Sequence, residues 1–514
     1  MECRAVVRRG GVALSSPGDL KNGKEQSGQY QTMQNAYDSY GIFIDGEWRP
    51  ASDAATLEVI DPATEEAFGR IPHATRADVD AALQAVSRGF EVWRRVPAFD
   101  RSQLLRRVAG NLREHAEETS KLMSRETGKP LAEARSELAA AAEQFEWYAE
   151  EAKRIYGHAL DGREAAIRLQ VRYDPIGPVA ALAPWNFPAL LPARKIAAAL
   201  AAGCSVIMKP PEEAPGSTFA IAEAAKAADL PNGVLNILVG DPARLSAQLL
   251  DSPIIRKVSF TGSVRVGREI MMRAAQGLKK VSLEMGGHAP VLIFEDADPE
   301  QAAQLCLRTK FRNAGQVCIS PSRFYVHSSQ YDTFSRTFAD GAKKIILGPG
   351  WDAGVEMGPM ANARGLARAE ELVADALRRG AELLAGGKRP EDRKRGFFFA
   401  PTVLGKVPDE ATIMQEEPFA PIAPVAVFET FDDVIRRANS LAYGLAGYIF
   451  TRSLSTAVRA SEALEAGMVG VNDLLLATAE MPFGGVKSSG MGREGGRLGI
   501  FDYLDPKYTK LRLA

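Results

Sequence analysis

Between Pro178 and Phe260 the chain repeats one unit: a short apolar run, a turn rich in Gly, Pro or small residues, then a longer Ala-rich run of helical period. Strands are expected at residues 178–183, 205–208, 234–238 and 257–260, and helices at 194–202, 217–228 and 243–250. Strands joined through helices run parallel, and a parallel sheet needs helices on both faces, so this stretch reads as a doubly wound α/β region. Such a sheet binds ligands beyond the C-terminal ends of its strands.

The flanking sequence extends this plan. Residues 41–48 alternate around Asp45-Gly46, the signal of a two-residue hairpin. Residues 78–93 and 101–118 carry amphipathic helical patterns, and from about Gly286 a second α/β domain begins. Residues 168–179 read as a strand leaving the first domain, and residues 503–513 alternate in the same way. A polar leader is expected over residues 1–36, with Met33 as an alternative start.

With 514 residues the chain exceeds one ordinary core. A net charge of −1 creates no field for nucleic acid or an anionic membrane surface. The longest apolar stretch, residues 196–208, is too short for a membrane span. Four cysteines without a Cys-x-x-Cys pair or Cys/His ligand spacing argue against disulfides and against a metal site, and fit a reducing cytoplasm.

Three segments carry chemistry. Cys318 follows Gly315-Gln316-Val317 and precedes a polar turn, as a nucleophile on a loop would. Glu284 stands before Met285-Gly286-Gly287, and Asn186 lies in Pro184-Trp185-Asn186-Phe187-Pro188. Attack on a carbonyl needs a thiolate, a donor for the oxyanion and a base for the later water, so thiol, amide and carboxylate form a complete set. A free thiol titrates near about 8.5, so the site must lower that value, through a helix N-terminus or a cofactor cation. Cys3, Cys204 and Cys306 read as ordinary residues. A fourth segment, Phe260 to Gly267, is a glycine-bearing turn into a helix, suited to a phosphate.

In this order the segments resemble the motifs of the aldehyde dehydrogenase superfamily, and the likeness runs from about Gly41 to the C-terminus. The resemblance implies two doubly wound parallel-sheet domains, residues 37–154 with 176–285 for NAD and 286–484 for catalysis. It also implies a small β element from residues 155–175 and 498–514 that joins subunits into a homodimer or homotetramer. By resemblance, Cys318 forms a thiohemiacetal whose oxyanion is held by Asn186 and the Cys318 N–H, and Glu284 activates the water that releases the acid. Gly262, Ser263 and Gly267 cradle the cofactor phosphates, and Trp185 joins the cofactor contacts. Lys209 and Glu212 contact the adenosine ribose, while Glu417 and Phe419 hold the nicotinamide end. A carboxylate at Glu212 repels a 2′-phosphate, so NAD is preferred, with NADP the alternative.

Arg194 and Arg312 match positions from which the succinate-semialdehyde branch of the family grips a distal carboxylate, and Arg suits that bidentate task. Phe483 shapes the same pocket. The branch pattern has a serine where this chain has Ala477, leaving Thr478 to supply a hydroxyl, and relatives with a redox cysteine pair would have Cys at Ser320. An anionic semialdehyde follows, succinate semialdehyde first. Glutarate or 2-oxoglutarate semialdehyde, small hydroxyaldehydes and an idle structural relative are the alternatives.

Overall fold

The computed structural model describes residues 36–513, so residues 1–35 of the expected leader lie outside the described residues. The expected hairpin forms from Ile42–Ile44 and Glu47–Arg49, with Asp45 at φ 57° and Gly46 at φ 84°. Two successive left-handed residues match the strand twist, which is why Asp-Gly suits this turn.

The hairpin edges an eight-stranded sheet in the order Gly490–Met491, Lys280–Met285, Lys257–Gly262, Val179–Leu182, Val206–Lys209, Leu235–Ile237, Ile42–Ile44, Glu47–Arg49. The five strands from Lys280–Met285 to Leu235–Ile237 are parallel. The middle strand Val179–Leu182 is apolar on both faces, whereas Lys257, Ser259 and Thr261 put buried polar groups on one face of Lys257–Gly262. Val179 and Ala181 enter one core cluster while Ala180 and Leu182 enter the other, as the two-residue period requires. Helix Leu190–Ala202 is buried at every position, which its Ala-rich sequence permits.

Topology places the site. Chain order runs outward from Val179–Leu182 in one direction to Val206–Lys209 and Leu235–Ile237, then returns to Lys257–Gly262 on its other side. The crevice opens at that reversal, between the C-terminal ends of Val179–Leu182 and Lys257–Gly262. A second, seven-stranded sheet runs Glu382–Ala385, Thr402–Gly405, Ile422–Phe428, Pro321–His327, Ala289–Ile293, Ala446–Phe450, Met468–Val471, parallel except at its first edge. His158–Asp161, Ile167–Pro175 and Leu504–Arg512 form a separate antiparallel sheet.

Some elements differ from expectation. The helix expected at 101–118 is two, Ala98–Glu114 and Ala116–Thr127, broken at His115 (φ −101°, ψ 18°) where no Pro or Gly marks the break. The helix expected from Arg194 starts earlier, at Leu190, because Pro192 is tolerated in a first turn whose N–H groups need no helical partner. The strand expected at 168–179 ends at Pro175, and Gly177 (φ 129°) turns the chain into Val179–Leu182. No helix among the described residues is long and apolar enough to cross a membrane.

Candidate active site

Helix Pro299–Lys310 delivers the chain to a turn in which Asn313 (φ 48°), Ala314 (φ 52°) and Gly315 (φ 72°) are all left-handed. Two non-glycine residues in that region cost energy and persist only where neighbours fix them. They are fixed. Asn313 N donates to Glu133 Oε2 (2.9 Å), and Asn313 Nδ2 donates to the carbonyls of Asn186 (3.0 Å) and Gln316 (3.2 Å). Gln316 Nε2 donates to Asn313 O (3.0 Å), and its Oε1 accepts from Ala361 N (3.0 Å). This turn presents Cys318, a half-buried residue packed against the core of the second domain.

Asn186 lies just beyond strand Val179–Leu182, 3% exposed, and its Nδ2 donates to Gln316 O at 3.2 Å. The amide therefore faces the backbone two residues before the thiol. Glu284, on strand Lys280–Met285, is also 3% exposed, and neither carboxylate oxygen has a hydrogen-bond partner among the described residues. Burial first, then the nearby Glu494, raise its pKa well above the ordinary carboxylate value, against the pull of Lys195 and Arg194. Gly484 (φ 158°) makes room for it, since a Cβ there would lie 2.5 Å from Glu284 Oε1.

Neither Glu494 nor Lys195 was assigned a role from the sequence. The buried Lys195 ammonium donates to the Glu494 carboxylate and to Thr261 Oγ1 (2.8 Å), and Ser259 Oγ donates to Glu494 Oε1 (3.3 Å). The available signal was Glu494 standing amid Gly490, Gly492, Gly495 and Gly496, a carboxylate in a run of turn-formers.

The thiol departs from expectation. Burial pushes Cys318 up to about 12, helped by the charges of Glu417 and Glu284 and opposed by Arg194. No helix N-terminus supports it, because Cys318 follows a helix end and precedes strand Pro321–His327. Of the two agents expected to lower its pKa, only a bound cation is left.

The cofactor candidates gather at the sheet's reversal. Ser263 caps helix Val264–Gln276, its Oγ accepting from Val266 N (3.4 Å), directly after strand Lys257–Gly262. Gly267 lets this helix lie on the neighbouring strand, since a Cβ there would meet Met285 Sδ at 2.1 Å, and one at Gly262 would meet the Phe260 ring at 2.4 Å. The first-turn N–H groups of such a helix lack helical acceptors and suit an anion. Lys209, at its strand's end, donates to the Glu212 carboxylate. Trp185 meets Phe419 edge-on at 5.7 Å, and Phe419 holds φ 43°.

Glu417 Oε1 accepts from Gly287 N (3.2 Å), and a Cβ on Gly286 would lie 2.2 Å from Glu417 Oε2, so the glycine pair shapes this carboxylate's seat. Burial raises Glu417 to about 8, opposed by Lys310. Lys310 is fully buried and donates to Ser320 Oγ (3.4 Å), and burial lowers it to about 7.

Among the substrate candidates Arg194 stands out. It is 2% exposed, its guanidinium sits 4.3 Å above the Phe483 ring, and its Nε has no hydrogen-bond partner and no ion pair among the described residues. Arg312 lies 5.2 Å over the ring of Phe187 and is partly exposed. Phe483 is buried and exchanges backbone hydrogen bonds with Glu494 (2.6 and 2.8 Å). Thr478 is not drawn in: it is exposed, and no hydrogen bond among the described residues ties its side chain to the cluster. No group of three or more His, Cys, Asp or Glu among the described residues could hold a metal.

Fold and site together define a two-sheet α/β protein of the dinucleotide-binding type, with a thiol, an amide and a buried carboxylate beside its switch point. The chain belongs to the aldehyde dehydrogenase family, whose model matches residues 48–509. It is 43% identical over 470 residues to a succinate-semialdehyde dehydrogenase [NADP(+)] of Escherichia coli K12, covering 91% of this chain and 97% of that one. It is 42% identical over 466 residues to a glutarate-semialdehyde dehydrogenase of Pseudomonas putida, covering 91% and 96%. The crystal structure of a betaine aldehyde dehydrogenase from Staphylococcus aureus in complex with NAD+ superposes with TM-score 0.91 at 35% identity, covering 95% of this chain and 97% of that one.

Proposed function

We propose that this protein oxidises an anionic semialdehyde, succinate semialdehyde first, to the dicarboxylic acid with NAD. The observation that carries the substrate is Arg194, a buried guanidinium with an unpartnered donor. A buried donor without an acceptor is costly, and a substrate carboxylate would supply the missing one. Arg312, on the neighbouring loop, is the second arm of the clamp. Glutarate semialdehyde is the nearest alternative, because the same anion at a longer reach satisfies the same pair.

The chemistry follows from the residues. Cys318 Sγ attacks the aldehyde carbon, and the oxygen of the thiohemiacetal rests against Asn186 Nδ2 and the Cys318 N–H. Each such donor is worth about 3 kcal/mol. When bound, the dinucleotide supplies the hydride acceptor and a positive charge that offsets Glu417 and Glu284 around the thiol. Glu284 then takes a proton from the water that attacks the Cys318 thioester, freeing the acid and the thiol. Glu494 and Lys195 give that proton a buried neighbourhood to leave through.

Gly262, Ser263 and Gly267 seat the phosphates at the helix N-terminus. Lys209 and Glu212 take the adenosine ribose, and Trp185, Glu417 and Phe419 the nicotinamide end. The Glu212 carboxylate favours a ribose hydroxyl over a 2′-phosphate, so NAD is the preferred cofactor and NADP the weaker one. Residues 37–154 and 176–285 form the cofactor domain and 286–484 the catalytic domain. The exposed Leu160, Tyr508 and Leu511 on the antiparallel sheet support subunit pairing into a homodimer or homotetramer. The three described cysteines are free thiols, which supports a reducing cytoplasm.

The test is reduced-cofactor absorbance with NAD and with NADP across succinate semialdehyde, glutarate semialdehyde, butanal and betaine aldehyde, repeated with Arg194→Met and Arg312→Met. Losing one arm of a desolvated charge pair costs roughly 2–5 kcal/mol, so kcat/KM for the semialdehydes should fall at least about 30-fold while butanal is spared. Equal losses for butanal would remove the arginines from substrate binding.

A further inference from the structure

Lys129 and Glu137 belong to none of the motifs, yet both are buried, at 1% exposure each, and the ammonium donates to the carboxylate. Their remaining bonds converge on one short segment. Lys129 Nζ donates to the backbone carbonyl of Asn186 at 2.9 Å, and Glu137 Oε1 accepts from the backbone N–H groups of Ala189 (2.8 Å) and Leu190 (3.2 Å). Lys129 also lies 4.6 Å from the centre of the Phe187 ring. The Asn186 carbonyl shares its second lone pair with Asn313 Nδ2, from the turn that leads to Cys318.

This arrangement is more than a stabilising ion pair. A buried pair is weak evidence for stability, since its desolvation cost often cancels its Coulomb gain and an apolar replacement is often as stable. What the pair adds is geometry. The Glu137 carboxylate sits at the N-terminus of helix Leu190–Ala202, where a negative charge is favoured and which carries Arg194 and Lys195. The Lys129 ammonium fixes the peptide of the residue whose side-chain amide faces the thiol loop.

We propose that Lys129 and Glu137 are positioning residues for the oxyanion donor. The pair holds the segment from Asn186 to Leu190 so that Asn186 Nδ2 meets the developing negative oxygen without first having to move. Pre-aimed donors stabilise charge because no reorganisation is needed at the moment of reaction, and a misplacement of about 1 Å can cost about 100-fold. The inference rests on the proposed thiohemiacetal chemistry.

The experiment compares Lys129→Met and the doubly neutral Lys129→Met/Glu137→Gln with the unmodified enzyme in two reactions of Cys318. Hydride transfer, read as the pre-steady-state NADH burst with saturating succinate semialdehyde and NAD, needs the oxyanion donor. Alkylation by iodoacetamide uses the same sulfur and forms no oxyanion. The burst rate should fall about 10- to 100-fold in both variants while the alkylation rate stays within about twofold. In an Asn186→Ala background the Lys129 substitution should add almost nothing, since the donor it aims is gone.

An unchanged burst in the soluble double variant overturns the proposal. So do parallel losses of burst and alkylation, or full additivity with Asn186→Ala, because those mark a general loosening of the fold. If the unmodified enzyme produces no NADH from any aldehyde, the reaction assignment fails instead, and the two failures are distinguishable.

Discussion

Replacing Glu284 by glutamine keeps the shape of the side chain and removes its ability to take a proton. Glu284 is 3% exposed, neither carboxyl oxygen has a partner among the described residues, and burial together with Glu494 holds its pKa well above the usual value. A positioned general base contributes about 10²- to 10⁴-fold, or roughly 3–5 kcal/mol of barrier. Attack by the thiol and hydride transfer need no base at this place, so the loss falls on thioester hydrolysis alone. Stopped-flow mixing of Glu284→Gln with NAD and succinate semialdehyde should show an NADH burst of about one equivalent per site, then a steady rate at least about 100-fold below normal. Because the folded pKa is raised, the base form grows as pH rises, so the unmodified enzyme's hydrolysis step should accelerate with pH up to that pKa and the variant should lose this limb. Stability moves the other way. An acid whose folded pKa is raised contributes fully below its unfolded pKa of about 4.3 and loses that contribution as pH climbs toward the folded value, at about 1.4 kcal/mol for each tenfold difference in acidity between the folded and unfolded chain. Glu284→Gln escapes this loss, so its Tm at pH 8 should equal or exceed that of the unmodified enzyme. A steady rate within twofold of normal, or a Tm several degrees lower, would refute the reasoning.

With Cys318 pushed up to about 12, iodoacetamide should modify the cofactor-free enzyme slowly at pH 8, and the rate should rise about tenfold per pH unit through pH 10 without a plateau. Adding NAD should speed the reaction, and a plateau near pH 8.5 without cofactor would contradict the burial argument. Gly484→Ala drives a Cβ to 2.5 Å from Glu284 Oε1 and strains a glycine at φ 158°, so steady-state turnover should fall about tenfold or more while iodoacetamide reactivity persists. Full activity in that variant would show that Glu284 has room elsewhere.

The local signals were legible in the sequence because they rest on local physics. Alternating apolar runs place the strands from Val179–Leu182 to Lys257–Gly262 near their expected bounds, and Asp45-Gly46 makes the hairpin its φ preferences allow. The three residues proposed for the chemistry were also picked out, since Cys318, Glu284 and Asn186 each sit in a short distinctive segment. Resemblance, rather than periodicity, linked these segments to one chemistry. Their support was not readable. Lys195 and Glu494 are 299 positions apart, and Lys129 reaches Asn186 across 57. Local pattern does not say which of these charges meet, because a buried charge is satisfied by whatever the chain's topology brings beside it. The break at His115 likewise has no Pro or Gly to announce it. The same holds for the ionisation of the site: composition makes Cys318 an ordinary thiol, and only the tertiary structure, by removing water and placing Glu417 and Glu284 nearby, pushes it up to about 12. Local signals in the chain set the sheet and the turns and pointed to the residues proposed for the chemistry. The tertiary structure decided which charges face those atoms and which donors are left waiting, because desolvation and long-range pairing exist only once the chain has folded.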